Sequence, residues 1–202
     1  HRYEKWARLQ IEWEQMRDET IRNLKFPFSY REGQFNLAAS VYRTIARKKK
    51  LFIQAPTGTG KTMAVLYPAV RAMGEGLGEK IFYLTARTIT RTVAEQAFFI
   101  LKEKGLKFRS VTLTAKEKIC FCEKAECNPQ ACPYAKGHFD RVNDAVYDLL
   151  KNGGGMGRKE IEEQAEKFQV CPFEFALDLS VWADGIICDY NYVFDPNAHL
   201  KR

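Results

Sequence analysis

No apolar run in the 202 residues approaches the roughly 20 that a membrane-spanning helix needs. No charged, apolar and small-residue leader opens the chain, so neither secretion nor membrane insertion is expected, and the expected location is cytoplasmic. CxxC pairs are absent too, which argues against an ordinary zinc ribbon. No internal repeat runs along the chain. What remains is a sequence with 46% hydrophobic and 28% charged residues, enough to bury a core in one domain with a smaller insert, and neither disordered nor fibrous. The formal net charge of +7, from 32 Lys+Arg against 25 Asp+Glu, favours an anionic partner such as nucleic acid through counterion release. Alone this is weak, because many solvated surfaces are mildly basic.

Apolar spacing outlines the elements. Trp6, Leu9, Trp13 and Met16 recur at three- and four-residue steps and predict an amphipathic helix over 1–24, with packing as its simplest role. Pro27 in FPFSY breaks the pattern. Phe35, Ala38, Ala39, Tyr42 and Ile45 share one face of a second helix over about 32–46, and the run RKKK after it is solvated surface. LFIQA (51–55), KIFYLTA (80–86) and FRSVTLTA (108–115) are strand candidates, separated by helix candidates. The alternation predicts an α/β fold of right-handed βαβ units on a parallel sheet. From 115 to 175 the character changes to cysteines, a GGGMG turn and two polar helices at about 139–151 and 158–169, an insert by composition. Residues 176–202 return to a helix and a buried-type strand, GIIC. The expected division is therefore 1–24, 25–114, 115–175 and 176–202.

The stretch APTGTGKT lies between a strand candidate and a helix candidate, the context in which backbone N–H groups and a positive helix end can cradle phosphates. Ala55, Pro56, Thr57, Gly58, Thr59 and Gly60 form the loop, and the two glycines allow close backbone approach. Lys61 is expected to reach the β/γ-phosphates of ATP, and the Thr62 hydroxyl to ligate Mg²⁺. Ala55 stands where the general pattern has Gly, the one departure.

Six cysteines in a cytosolic chain point to metal or redox chemistry before disulfides. Cys120, Cys127, Cys132 and Cys171 are separated by six, four and 38 residues, so three local thiolates and one distant one can close around a metal centre. On spacing alone an iron-sulfur cluster, zinc and unrelated buried thiols all stay open. Cys122 competes with Cys120 as first ligand. Cys188, inside GIIC, is more simply a core thiol, and a lone His138 beside the insert is more often an ordinary hydrogen-bonded residue.

In APTGTGKT, in YREGQ about 20 residues upstream, and in YLTARTITRTVAEQ, the chain resembles superfamily 2 helicases. KEKIC, CNPQACPYAKGHFDRVNDAV and VCPFEFALDLSVWADGIICDYNYVFDP resemble the iron-sulfur helicases related to DinG and to the xeroderma pigmentosum D protein, over residues 25–202. The resemblance implies a partial RecA-like P-loop domain carrying a helical, Cys-rich iron-sulfur insert, with Arg31 and Gln34 reading the adenine. A 4Fe-4S cluster would sit on Cys120, Cys127, Cys132 and Cys171, with Cys122 a bystander. It further implies a monomer that translocates 5′ to 3′ on single-stranded DNA, unwinds at duplex junctions and serves DNA repair or replication, with Thr85, Arg87 and Thr88 lying along the strand. Asp189 after GIIC imitates a Mg²⁺-binding carboxylate, but Tyr190 follows it where a hydrolytic motif has Glu. The resemblance places the DEAH-type box beyond Arg202, so the chain is expected to bind Mg-ATP without turning it over.

Overall fold

The apolar run GIIC shows no polar alternation, as expected of a strand covered on both faces. In the computed structural model it is the middle strand of a three-stranded sheet, and all four of its residues are buried. The strands are β1 (Ile81–Leu84), β2 (Ser110–Thr112) and β3 (Gly185–Cys188), in the order β1-β3-β2. β2 runs parallel to β3, with Ser110, Val111 and Thr112 opposite Gly185, Ile186 and Ile187. The Thr85 N–H donates to the Cys188 carbonyl at 3.0 Å, and the Leu113 N–H to that of Ile187 at 2.9 Å, extending both ladders. The structure describes residues 2–200 except 57, 87, 154 and 198, and leaves the side chains of Arg2 and Thr88 undescribed.

Helices fill most of the remainder: α1 (Arg2–Asn23), α2 (Gln34–Ala46), α3 (Lys61–Gly74), α4 (Thr88–Glu103), α5 (Lys116–Ile119), α6 (His138–Lys151), α7 (Arg158–Phe168), α8 (Pro172–Trp182) and α9 (Asn191–Phe194). The helices expected at 1–24, 32–46, 139–151 and 158–169 all form, displaced by a residue or two at their ends.

The chain divides into two compact units, residues 1–9, 82–86 and 109–202 in the first and 10–81 and 87–108 in the second. In the first, Leu149, Ile161, Phe175 and Leu179 from the helices bury against Val111 and Ile186 of the sheet. The Trp6 end of α1 belongs to this unit, its ring 4.7 Å from Trp182 and 5.2 Å from Tyr147. Buried Asp184 accepts the Arg109 N–H at 2.8 Å, tying the chain entering β2 to the chain entering β3. In the second unit α2 packs on α3, and Leu66, Val70, Phe98 and Leu101 are fully buried. Gly74 is needed where α3 meets α1, because a Cβ there would lie 2.4 Å from Ile21 Cγ2.

One expected strand is missing. Residues 51–55 form no strand, and Leu51, Phe52 and Ile53 are 40%, 92% and 43% exposed. Strand structure needs a ladder partner and a covered face, and this run has neither among the described residues.

Candidate functional site

The loop before α3 has the backbone that its glycines permit. Gly58 and Gly60 have φ of +80° and +72°, a left-handed conformation costly for any residue with a Cβ. Gly60 is the N-cap of α3, so Lys61 and Thr62 open the helix where its N–H groups are free. Thr59 Oγ1 donates to the Pro56 carbonyl at 3.0 Å, tightening the turn. Lys61 Nζ donates to the Ala55 carbonyl at 2.9 Å and also to that of Pro56, so the ammonium folds back onto its own loop.

Arg31 and Gln34 meet this loop through its backbone. Arg31 Nη1 donates to the Gly58 carbonyl at 2.7 Å, and Gln34 Nε2 to the Gly60 carbonyl at 3.2 Å. Gln34 Oε1 in turn accepts the Arg31 N–H at 3.0 Å. Gln34 is buried, and a Cβ on Gly60 would come within 2.5 Å of its amide nitrogen. The sequence brought these residues together only through the resemblance. No local signal ties Gln34 to a loop 26 residues away. Thr57 lies outside the described residues.

The cysteines lie in the first unit. Cys120, Cys127, Cys132 and Cys171 all line one cavity of ≈ 270 Å³, with Lys116 and His138 among its other walls. Three local devices place them. Cys120 caps the end of α5 by donating its N–H to the Lys116 carbonyl at 2.9 Å. Asn128 Oδ1 accepts the N–H groups of Gln130 (3.1 Å) and Ala131 (2.9 Å), turning the chain between Cys127 and Cys132. Cys171 is the N-cap of α8, with Pro172 following it in the helix's first turn. Burial pushes the Cys171 thiol up, while the N–H groups of Glu174 and Phe173 pull it down.

Cys122 does not line the cavity, although its sulfur is 3.8 Å from that of Cys132. That sulfur contact, followed by desolvation, holds the Cys122 thiol up at about 11. Among the described residues, no three His, Cys, Asp or Glu side chains are gathered closely enough to hold a single metal ion. Cys188 is fully buried in β3.

Of the residues expected along DNA, Thr85 is buried at the end of β1, 4% exposed, and has little surface to offer a phosphate. Arg87 lies outside the described residues, as does the side chain of Thr88. Asp189 Oδ1 accepts the Asn191 N–H at 3.0 Å and so turns the chain into α9, a local structural task. No described helix is long and apolar enough to cross a membrane.

Comparison with known proteins places these features in a family. The DEAD/DEAH box helicase domain matches residues 36–127, and the DEAD_2 domain matches residues 85–201. A probable ATP-dependent helicase of Methanocaldococcus jannaschii is 43% identical over 216 residues, covering 88% of this chain and 32% of that protein. The regulator of telomere elongation helicase 1 homolog of Caenorhabditis briggsae is 24% identical over 224 residues, covering 89% of this chain and 22% of the relative. The chain thus spans about a fifth to a third of the length of these relatives. Among solved structures, a truncated XPD aligns with a TM-score of 0.53 at 17% identity, covering 80% of this chain and 46% of the other. That likeness concerns the fold alone and supports a partial RecA-like α/β domain.

Proposed function

The chain belongs to the DEAD_2 family of helicases, and we propose that it is the nucleotide-binding front part of an ATP-dependent DNA helicase that carries a 4Fe-4S cluster. The observation that carries the cluster reading is the single cavity of ≈ 270 Å³ lined by Cys120, Cys127, Cys132 and Cys171. Four thiols lining one cavity, three from one short segment and the fourth from the start of α8, suit a cluster that would be held by four thiolates. When bound, such a cluster would join the α5 end, the loop around Asn128 and the start of α8 through iron-sulfur bonds.

The chain's own residues divide the remaining work. Gly58 and Gly60 hold the loop open for phosphates, Lys61 would exchange its loop carbonyls for the β/γ-phosphates, and Thr62 would ligate Mg²⁺. Arg31 and Gln34 grip the same loop, so their proposed contact with adenine would link base recognition to loop shape. Arg87 and Thr88 are proposed to lie along single-stranded DNA, where a guanidinium and a hydroxyl suit phosphates without reading sequence. Thr85 would act indirectly, from its buried place in the sheet. The proposed parent enzyme moves 5′ to 3′ as a monomer, unwinds duplex at junctions and acts in repair or replication in the cytoplasm. Its DEAH-type box would follow Arg202, and the cysteine-rich segment 115–175 would help part the strands.

Iron and acid-labile sulfide analysis after anaerobic purification tests the cluster. Four irons per chain, lost on single Ser substitution at any of the four cysteines but retained in Cys122→Ser, is the expected result. Zinc in place of iron, or iron that depends on Cys122 and not on Cys120, overturns the assignment. For the loop, Lys61→Ala is expected to abolish Mg-ATP binding, and ATP hydrolysis by residues 1–202 is expected to stay near background. Brisk DNA-stimulated turnover would instead make Asp189 or another carboxylate here the Mg²⁺ ligand.

A further inference from the structure

Resting on the cluster reading above, we propose that His138 is a positioning residue that holds Cys171 in place as the fourth ligand. The difficulty at this site is the distance along the chain. Cys120, Cys127 and Cys132 lie within one short segment, whereas Cys171 follows Cys132 after 38 further residues that include α6 and α7. Local turns can set the first three thiols, but nothing in their segment reaches the fourth except through a tertiary contact.

Arg141 ties the Lys136 carbonyl to those of Phe168 and Gln169, and His138 makes the contact to Cys171 itself. It is the first residue of α6, six positions after Cys132, only 3% exposed, and it lines the same cavity as the four thiols. Its Nδ1 accepts the backbone N–H of Cys171 at 3.2 Å. A ring nitrogen that accepts carries no proton, so the neutral ring keeps its proton on Nε2. Nε2 faces Asp178 Oδ2 at 3.9 Å, beyond hydrogen-bond range but placed to favour that tautomer. Both ring nitrogens are therefore directed at α8, one at its N-cap and one at a carboxylate two turns further on.

The backbone N–H of an N-cap residue lies outside the helix's own ladder and needs a partner when buried. Supplying it from a ring that also walls the cavity fixes where the Cys171 sulfur stands relative to the other three. Outer-shell partners of this kind, which orient a ligand without touching the metal, commonly alter metal retention by about 10–100-fold when removed.

The test compares wild type, His138→Ala and His138→Asn, each reconstituted anaerobically with iron and sulfide. Asn offers Oδ1 close to where Nδ1 stands, so it keeps the acceptor and loses the ring. Three quantities are read: the rate at which a ferrous chelator bleaches the visible absorption, the electron paramagnetic resonance spectrum of the reduced cluster, and the melting midpoint of the iron-free protein. Wild type and His138→Asn are expected to hold iron alike. His138→Ala should bleach about 10–100-fold faster with an altered resonance spectrum. If the alanine variant also melts early, the asparagine variant decides: iron retention restored to wild type supports the inference. An alanine variant that bleaches at the wild-type rate overturns it, and so does an asparagine variant that melts normally yet loses iron as the alanine one does. Wild-type protein that takes up no iron and sulfide overturns the cluster reading itself, a different failure.

Discussion

Substituting Gly60 by Ala tests whether the loop and Gln34 form one unit. Two costs are separable in the structure. The first is conformational: φ at Gly60 is +72°, and a residue with a Cβ in left-handed backbone loses about 1–2 kcal/mol. Gly58, with φ of +80° and nothing within 4 Å of a Cβ, carries that cost alone and serves as the internal control. The second cost belongs to Gly60 only, because its Cβ would lie 2.5 Å from Gln34 Nε2. A glutamine amide can swing away, but it then forfeits its bonds to the Gly60 carbonyl and from the Arg31 N–H. At about 0.5–1.5 kcal/mol each, these add about 1–3 kcal/mol. Gly60→Ala should thus cost about 2–5 kcal/mol against about 1–2 for Gly58→Ala. For a chain of this size the excess lowers the melting midpoint by roughly 2–12 °C, read by thermal denaturation. In a Gln34→Ala background the excess should vanish, since the amide it displaces is gone. Equal costs for the two glycine substitutions, or an excess that survives in that background, would refute the coupling.

Three further outcomes follow from other parts of the molecule. Gly74→Ala should destabilise by about 1–3 kcal/mol through its clash with buried Ile21, and Ile21→Ala in the same chain should remove most of that increment, both measured by urea unfolding. Asp148 accepts from Gln164 Nε2 at 2.9 Å and Lys167 Nζ at 2.8 Å, and these bonds, Gln164's first, hold its carboxyl below the usual range. Its contribution is therefore complete above the ordinary carboxylate pKa of about 4 and fades as pH falls through the lowered one; the stability gap between wild type and Asp148→Asn should narrow on acidification, and a constant gap would contradict the shift. Single-stranded DNA affinity should fall log-linearly with rising salt, and Arg87→Ala should make that slope shallower by about one phosphate contact; tight, salt-insensitive binding to one duplex sequence would exclude this mode.

The sequence carried the helices and two kinds of site signal unequally. Elements with a dense apolar period, such as α2 and α6, were legible because one face buries whatever the tertiary context. LFIQA was not, because a short apolar run becomes a strand only when another strand pairs with it, and Leu51, Phe52 and Ile53 remain uncovered here. The proposed phosphate loop stands out because its chemistry is contiguous: two glycines, Lys61 and Thr62 fall within a few residues. The grip of Arg31 and Gln34 on that loop, and the bond from Cys171 to His138, each span 26 or more residues, and periodicity holds no trace of them. A lone His138 beside the insert reads in the sequence as an ordinary hydrogen-bonded residue. The hydrogen bond was rightly expected; its partner, the N-cap N–H of a candidate ligand, is a fact of tertiary structure.

The same contrast bears on how Lys61 is placed. An ammonium with no acceptor would be costly, and repulsion from a positive helix end would add to the cost. Lys61 avoids both by donating to the Ala55 and Pro56 carbonyls, while Arg31 and Gln34 occupy the carbonyls of Gly58 and Gly60. The Gly60 carbonyl is shared with α3 itself, accepting the Ala64 N–H at 3.1 Å, so Gln34 grips the loop at the carbonyl that also starts the helix. Exchanging two neutral carbonyl acceptors for anionic phosphate oxygens strengthens the lysine's bonds by roughly a factor of two. The gain on binding a nucleotide would then be the difference between the two sets of bonds rather than the full strength of the second.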